Sequence, residues 1–219
     1  MWRWLARTYP AKIRILYWNL NKDSNNCRQL LRSDFDILAF QEPTAQGNYP
    51  PCPKACNFHM IYGGGRAVIY IHKRHPLASW TFEAHKDYCK VTLTGTDFYS
   101  IYSPIPPPTR RARLATPWIS PIHSLAELER PNKAILMGDF NLHHPLWDLF
   151  DRETYGAEAL LQLAEDWGLQ LITPYGTPTR RFQGQRNSTL DHAWVSAPNG
   201  APIATYEGEG DYKGSDHRP

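Results

Sequence analysis

The stretch Ala134-Ile135-Leu136-Met137-Gly138-Asp139-Phe140-Asn141-Leu142-His143-His144-Pro145 decides how this chain folds. Four apolar residues, bounded by a glycine and a polar cluster, predict a short buried strand that stops abruptly. Side chains two apart in an extended segment point to one side, so Asp139 and Asn141 are expected to project together from the strand's end. Sheet enzymes tend to keep their chemistry there. Gly138 lets the backbone turn or a ligand come close, and Pro145 keeps a helix from starting earlier. By itself, Asp-x-Asn is also what an ordinary polar turn looks like.

Upstream, residues 13–18 alternate and then fill with apolar side chains, a strand that stops at Asn19-Leu20-Asn21. Asp23 or Ser24 caps a predicted helix carrying Cys27, Leu30 and Leu31 on one side. The apolar run 37–40 then leads to Gln41-Glu42 and is closed by Pro43. Strand, helix and strand in this order predict a crossover unit in a layered α/β fold, with Glu42 at the second strand's end as Asn19 is at the first's. The segments 59–62 and 67–71 around Gly63-Gly64-Gly65 predict a hairpin, and so do 90–93 and 98–102 around Thr94-Gly95-Thr96-Asp97. No Lys-Ser or Lys-Thr follows the triple glycine, so it is a turn and not a phosphate loop.

After Tyr102 comes a proline-rich surface loop, followed at once by Arg110, Arg111 and Arg113, which can grip phosphates or simply start a solvated helix. A helix is predicted over 118–128. Residues 155–168 form an amphipathic helix with Ala157, Leu160, Leu161, Ala164 and Trp167 as one stripe. A short strand over 169–172 precedes Thr177-Pro178-Thr179-Arg180-Arg181-Phe182, which leads to Arg186-Asn187-Ser188-Thr189-Leu190-Asp191. The Arg- and Gln-rich middle of that segment is either an exposed hairpin lying in a nucleic-acid groove or a plain polar loop. The chain closes on Ser215-Asp216-His217-Arg218-Pro219.

Composition narrows the classes. The chain has 219 residues, 42% hydrophobic and 21% charged, which is globular, and no linker divides it. Residues 1–11 are unassigned and 12–219 are expected to be one domain. The formal charge of +3 permits a polyanion partner without requiring one. Four cysteines without a secretory signal are expected to be reduced thiols, and no apolar run approaches the ~20 residues that cross a membrane.

The order of the motifs is far more specific than any one of them. Asn19, Gln41-Glu42, Tyr102 before Pro104, Gly138-Asp139-Phe140-Asn141, Ser188-Thr189-Leu190-Asp191 and Ser215-Asp216-His217 together resemble the endonuclease/exonuclease/phosphatase family over the span 12–219. Within it, Phe40-Gln41-Glu42-Pro43, Asn141-Leu142-His143-His144-Pro145-Leu146-Trp147 and Asn21 look most like the apurinic-endonuclease-like domain of non-LTR (LINE-type) retrotransposons.

The resemblance implies an α/β fold, DNase I-like, of two mixed β-sheets packed face to face as a sandwich with helices outside and the strand ends making one cleft. Members usually continue past Ser-Asp-His into a closing strand. The chain is therefore expected to be truncated at its C-terminus, with an open sheet edge and a loosened His217.

The chemistry implied is hydrolysis of a phosphodiester with Mg2+, or Mn2+ as the alternative, which needs only one or two carboxylate ligands. Glu42, Asn19 and Asp216 are the expected metal residues. Asp139 takes the proton of the attacking water, Asn141 holds that water or a phosphate oxygen, and Tyr102 donates to phosphate or is simply a strand aromatic. His217 stabilises charge on the phosphoryl oxygens and Asp191 keeps it charged. The expected nucleic-acid contacts are Arg110, Arg111, Arg113, Thr179, Arg180, Arg181 and Arg186.

The leading expectation is a monomeric endonuclease that nicks DNA, leaving a 3′ hydroxyl for a reverse transcriptase in the same polyprotein. Its place of work would be intracellular and nuclear by function, away from membranes. The alternatives are a phosphatase or phosphodiesterase on lipids or small metabolites, and an inactive remnant that only binds nucleic acid.

Overall fold

The computed structural model describes residues 12–44, 49–107, 118, 120–149, 153–181, 187–207 and 215–218. The predicted crossover comes first: β1 (Ile15–Asn19), α1 (Ser24–Leu30) and β2 (Ile37–Gln41), with β1 and β2 parallel and Asn19 opposite Gln41. Asp23 caps α1 by accepting the amides of Asn25 and Asn26. β3 (Phe58–Tyr62) and β4 (Ala67–His72) add the predicted hairpin, giving a first sheet in the order β1-β2-β4-β3. Every pair in it except β1 and β2 is antiparallel.

The second sheet has the order β5-β6-β7-β8-β10-β9. Its strands are β5 (Trp80–Ala84), β6 (Tyr88–Leu93), β7 (Thr96–Tyr102), β8 (Ala134–Asp139), β9 (Leu169–Leu171) and β10 (Asp191–Ser196). β7 and β8 run parallel and the other pairs antiparallel. β5 is absent from the sequence reading because it is an exposed edge strand with four of its five side chains in solvent, so no burial pattern marks it. The predicted 118–128 helix shortens to α2 (Pro121–Ala126), capped by Ser120, and α3 (Ala157–Trp167) ends at Gly168.

Period-two alternation builds three apolar clusters. Ile135 and Met137 of β8 point between the sheets with Ile37, Ile69, Val91 and Val195, while Leu136 points outward onto Leu125 of α2 and Leu160 of α3. On the far side Trp18, Leu38 and Phe40 cover Cys27, Leu30 and Leu31 around α1. The layers are thus helix, sheet, sheet, helices. Both faces of β8 are buried, which is why its sequence reads as an unbroken apolar run.

His192 of β10 lies opposite Gly138, fully buried, its ring stacked on Phe140 and edge-on to Trp147. Its Nε2–H donates to the Thr189 carbonyl at 3.0 Å. Burial lowers its pKa from 6.5 to about 4, so it is neutral in the fold but protonates earlier in the unfolded chain. Stability from this residue is present above pH 6.5 and lost as pH falls towards 4. Urea unfolding at about pH 7.5 and 4.5 should show the native chain losing about 2 to 3 kcal/mol more than His192→Gln, which keeps a donor but does not titrate.

Candidate active site

Three strand ends converge, and each turns left-handed just beyond its last residue: Asn21 (φ 44°) after β1, Glu42 (φ 45°) after β2 and Asn141 (φ 50°) after β8. Asparagine visits this region readily, whereas Glu42 carries strain of roughly 1 kcal/mol or more. Asn19 Oδ1 accepts the Asn21 amide at 2.9 Å, and Asp139 Oδ1 accepts the Asn141 amide at 3.0 Å. The same side-chain-to-backbone turn therefore closes both strands. This corrects the expectation of an extended Asp-x-Asn: the carboxylate competes for the backbone N–H two residues on and folds Asn141 back over it.

The two turns meet. Asn19 Nδ2 donates to Asp139 Oδ2 at 2.7 Å across 120 residues of chain. Asn141 Nδ2 donates to the same oxygen at 3.0 Å and to the Ser103 carbonyl at 2.9 Å. Both amide hydrogens of Asn141 are thereby used, which removes donation to a phosphate oxygen from its expected roles and leaves Oδ1 for a water. Asp139 is 2% exposed, and burial pushes its pKa up to about 7, with Asp191's charge adding to the rise and His217 and the amide donors opposing it.

Asp191 sits directly opposite Asp139 in the β10–β8 register. His217 Nδ1–H donates to Asp191 Oδ2 at 2.7 Å. Burial alone would lower the His217 pKa, but the charge and hydrogen bond of Asp191, with Asp139 beyond it, lift it to about 9. The imidazole is charged at neutral pH. The residue is not loosened: Trp18 Nε1 donates to its carbonyl at 2.9 Å, Ser215 Oγ accepts its amide at 3.0 Å, and Ser215 also donates to the Asn19 carbonyl at 2.7 Å. One ligand atom from each of Asp139, Asp191 and His217 lies within 4.8 Å of the others.

Opposite Asp139 on its other side is Tyr102, in register on β7. Its hydroxyl accepts from Arg66 Nη1 at 2.7 Å, and the same Nη1 is 3.6 Å from Glu42 Oε1. Burial, together with the charges of Glu42 and Asp139, raises the Tyr102 pKa to about 12, so the hydroxyl keeps its proton. Two carboxylate centres, Asp139 with Asp191 and, apart from them, Glu42, thus both act on Tyr102 through their charge.

A family model described as Endonuclease/Exonuclease/phosphatase family matches residues 16–217. The chain belongs to that family. Among solved structures of the family's fold, it is similar to the endonuclease domain of TRAS1, a telomere-specific non-LTR retrotransposon (15% identity, 94% of each chain covered, TM-score 0.60). It is likewise similar to a 3′-5′ exonuclease of Neisseria meningitidis (20% identity, 94% of this chain and 96% of that one, TM-score 0.67). An AP endonuclease of Leishmania major matches at 12% identity over 94% of this chain and 85% of that one, TM-score 0.66. Identities this low speak for the fold. No curated protein matches the chain.

For a member of the endonuclease/exonuclease/phosphatase family, the structure redistributes several expected roles. Thr179 is 1% exposed and its hydroxyl accepts the amides of Leu190 and Asp191 at 2.9 and 3.0 Å. It positions Asp191 and offers no surface to nucleic acid, a correction that only the packing of residues 177–191 reveals. Arg180 Nε is 3.1 Å from Asp216 Oδ2, and Asp216 also accepts from Asn21 Nδ2 at 3.0 Å, so this expected metal residue already has a cation. Arg181 is exposed, while Arg110, Arg111, Arg113 and Arg186 lie outside the described residues.

Glu42 is different from Asp216. Its side chain is 16% exposed, yet among the described residues its carboxylate accepts no hydrogen bond. Arg66, a lone arginine directly after three glycines and not singled out by any motif, is the residue that meets both Tyr102 and Glu42. Among the described residues no helix is long and apolar enough to cross a membrane.

Proposed function

We propose that the chain is a divalent-metal-dependent endonuclease that nicks DNA and leaves a 3′ hydroxyl. The observation that carries the proposal is the pairing of a base with a charged imidazole: Asp139, with its pKa near 7, at the end of β8, and His217, held at 2.7 Å by Asp191 at the adjacent start of β10. The retrotransposon-like motif forms in the chain favour DNA over a small phosphoester.

Asp139 takes a proton from the attacking water, because a carboxylate poised near neutral pH is an effective base while still ionised. Asn19 and Asn141 fix its oxygens, and Asn141 Oδ1 orients the water. His217 donates through Nε2–H to a phosphoryl oxygen as charge builds there, and Asp191 keeps the ring charged and oriented. The Tyr102 hydroxyl, already accepting from Arg66, turns its own proton to the phosphate.

A hard cation fits this donor set. Glu42 offers a nearly buried carboxylate without a hydrogen bond, and Asn19 Oδ1 offers an amide oxygen. The charged His217 is no ligand, since in that form both ring nitrogens carry protons and neither has a lone pair to give. Magnesium bound there would supply charge neutralisation at the phosphate. Relaxation of supercoiled plasmid should require Mg2+ or Mn2+, stop in EDTA, and fall by about 10^2-fold or more in Glu42→Gln. Nicking indifferent to both EDTA and Glu42→Gln would remove this site from the reaction.

A further inference from the structure

Arg66 is held in place from both sides of its own backbone. Its carbonyl accepts the Glu42 amide at 2.7 Å and its amide donates to the Lys86 carbonyl at 3.0 Å. The neighbouring Gly65 lies so close to Lys86 that a Cβ there would be 1.5 Å from the Lys86 carbonyl oxygen. The β3–β4 turn therefore approaches the segment before β6 backbone to backbone, which only glycine permits, and the result is a fixed origin for the Arg66 side chain.

The guanidinium lies over the Tyr102 ring with its carbon 4.9 Å from the ring centroid. It spends one N–H on the Tyr102 hydroxyl and none at hydrogen-bonding distance from Glu42, 3.6 Å away. Of five donors in a planar fork, four make no hydrogen bond to the described residues, Glu42 facing the group as an ion pair only, and the side chain is 48% exposed. A strut joining Glu42 to Tyr102 would bury those donors or pair them. Carboxylates crowd the surroundings, Asp139, Asp191, Glu42 and Asp87, and would repel a phosphodiester, while of the other cations His217 is held by Asp191 and Arg180 is engaged by Asp216. Fixed positive charge at the rim would offset that repulsion, and a guanidinium fork is the group that matches phosphate oxygens in pairs.

We propose that Arg66 contacts the substrate itself, gripping a phosphate of the nucleic-acid backbone with its outward N–H groups while Nη1 holds the Tyr102 hydroxyl. The assignment rests on the nuclease reading above and adds a residue to it. It makes Arg66 a substrate-binding residue whose charge is counted in the binding equilibrium.

The test is salt-dependent binding of a fluorescent duplex to the full chain in EDTA, where no cleavage occurs, followed by anisotropy between about 50 and 200 mM NaCl. Loss of one phosphate contact in Arg66→Gln should flatten the slope of log Kobs against log[NaCl] by about 0.9, whereas Arg66→Lys, which keeps the charge, should retain the native slope. A residue that only braced Tyr102 would shift the unfolding temperature and leave the slope alone. In the native chain labelled with 15N-arginine, the Arg66 side-chain signals, assigned by their absence in Arg66→Lys, should move as duplex is added, so a poorly folding Gln variant does not hide the answer. Duplex binding with an unchanged slope, or with unmoved Arg66 signals, overturns the assignment of Arg66 alone. No duplex binding by the native chain at any salt overturns the DNA reading, and this assignment with it.

Discussion

Asp139→Asn should lower plasmid nicking by about 10^3- to 10^4-fold, the upper part of what a positioned general base contributes. The amide has no proton affinity to offer water, and its geometry is wrong as well. Both Asp139 oxygens accept from N–H donors, Oδ2 from Asn19 and Asn141 and Oδ1 from the Asn141 backbone. An Asn side chain must turn its own NH2 towards one of them, at a cost of roughly one hydrogen bond, about 1 kcal/mol. That cost is offset by removing a charge that burial disfavours, as the pKa near 7 records. The unfolding temperature should therefore stay within a few degrees of the native value while activity disappears. Thermal unfolding and nicking measured side by side check both halves. His217→Ala should lose less, about 10^2- to 10^3-fold, as expected for one donor to a developing oxyanion.

Gly138→Ala should unfold the protein or nearly so. Gly138 has φ +150° and lies opposite Ile101 in the parallel β7–β8 register, where an added Cβ would come 1.9 Å from the Ile101 carbonyl oxygen. Both atoms belong to paired backbone in the middle of the second sheet, so neither can step aside without breaking the ladder. Overpacking and the disfavoured φ together should cost about 3 to 5 kcal/mol, a large part of the ~5–15 kcal/mol that holds a domain folded. Because Asp139 is the next residue, any survivor should also lose activity. Gly64→Ala is the control: φ is +82°, but nothing lies within 4 Å of its Cβ, so about 1 kcal/mol is the expected cost. Denaturant midpoints for the two variants should differ accordingly; similar midpoints would mean that the β7–β8 approach is not as tight as the fold requires.

These two positions show how unevenly the chain announced itself. The 134–137 run, the crossover of β1, α1 and β2, and the hairpin around the triple glycine follow from local periodicity and turn chemistry, which act over a few residues and so are visible in any window of the sequence. Asp139, Glu42, Asp191 and His217 were legible as residue types in a characteristic order. Their hydrogen bonds were not. Asn141 was expected to project and instead folds back, because the competing donor is its own backbone N–H, a conformational choice that an alternation argument does not see. β5 escaped because an exposed edge strand buries no pattern.

The amino-acid sequence by itself determined most of the elements, the buried run of β8, and which polar residues stand at the ends of β1, β2 and β8. Tertiary structure alone decided that Asn19 touches Asp139, that Thr179 serves Asp191 from inside the protein, and that Arg66 reaches Tyr102. The reason is distance along the chain. Preferences of single residues and short segments set local geometry, but contacts between groups separated by 12 to 199 residues, such as Thr179 with Asp191 and Trp18 with His217, exist only once packing and loops bring their segments into register.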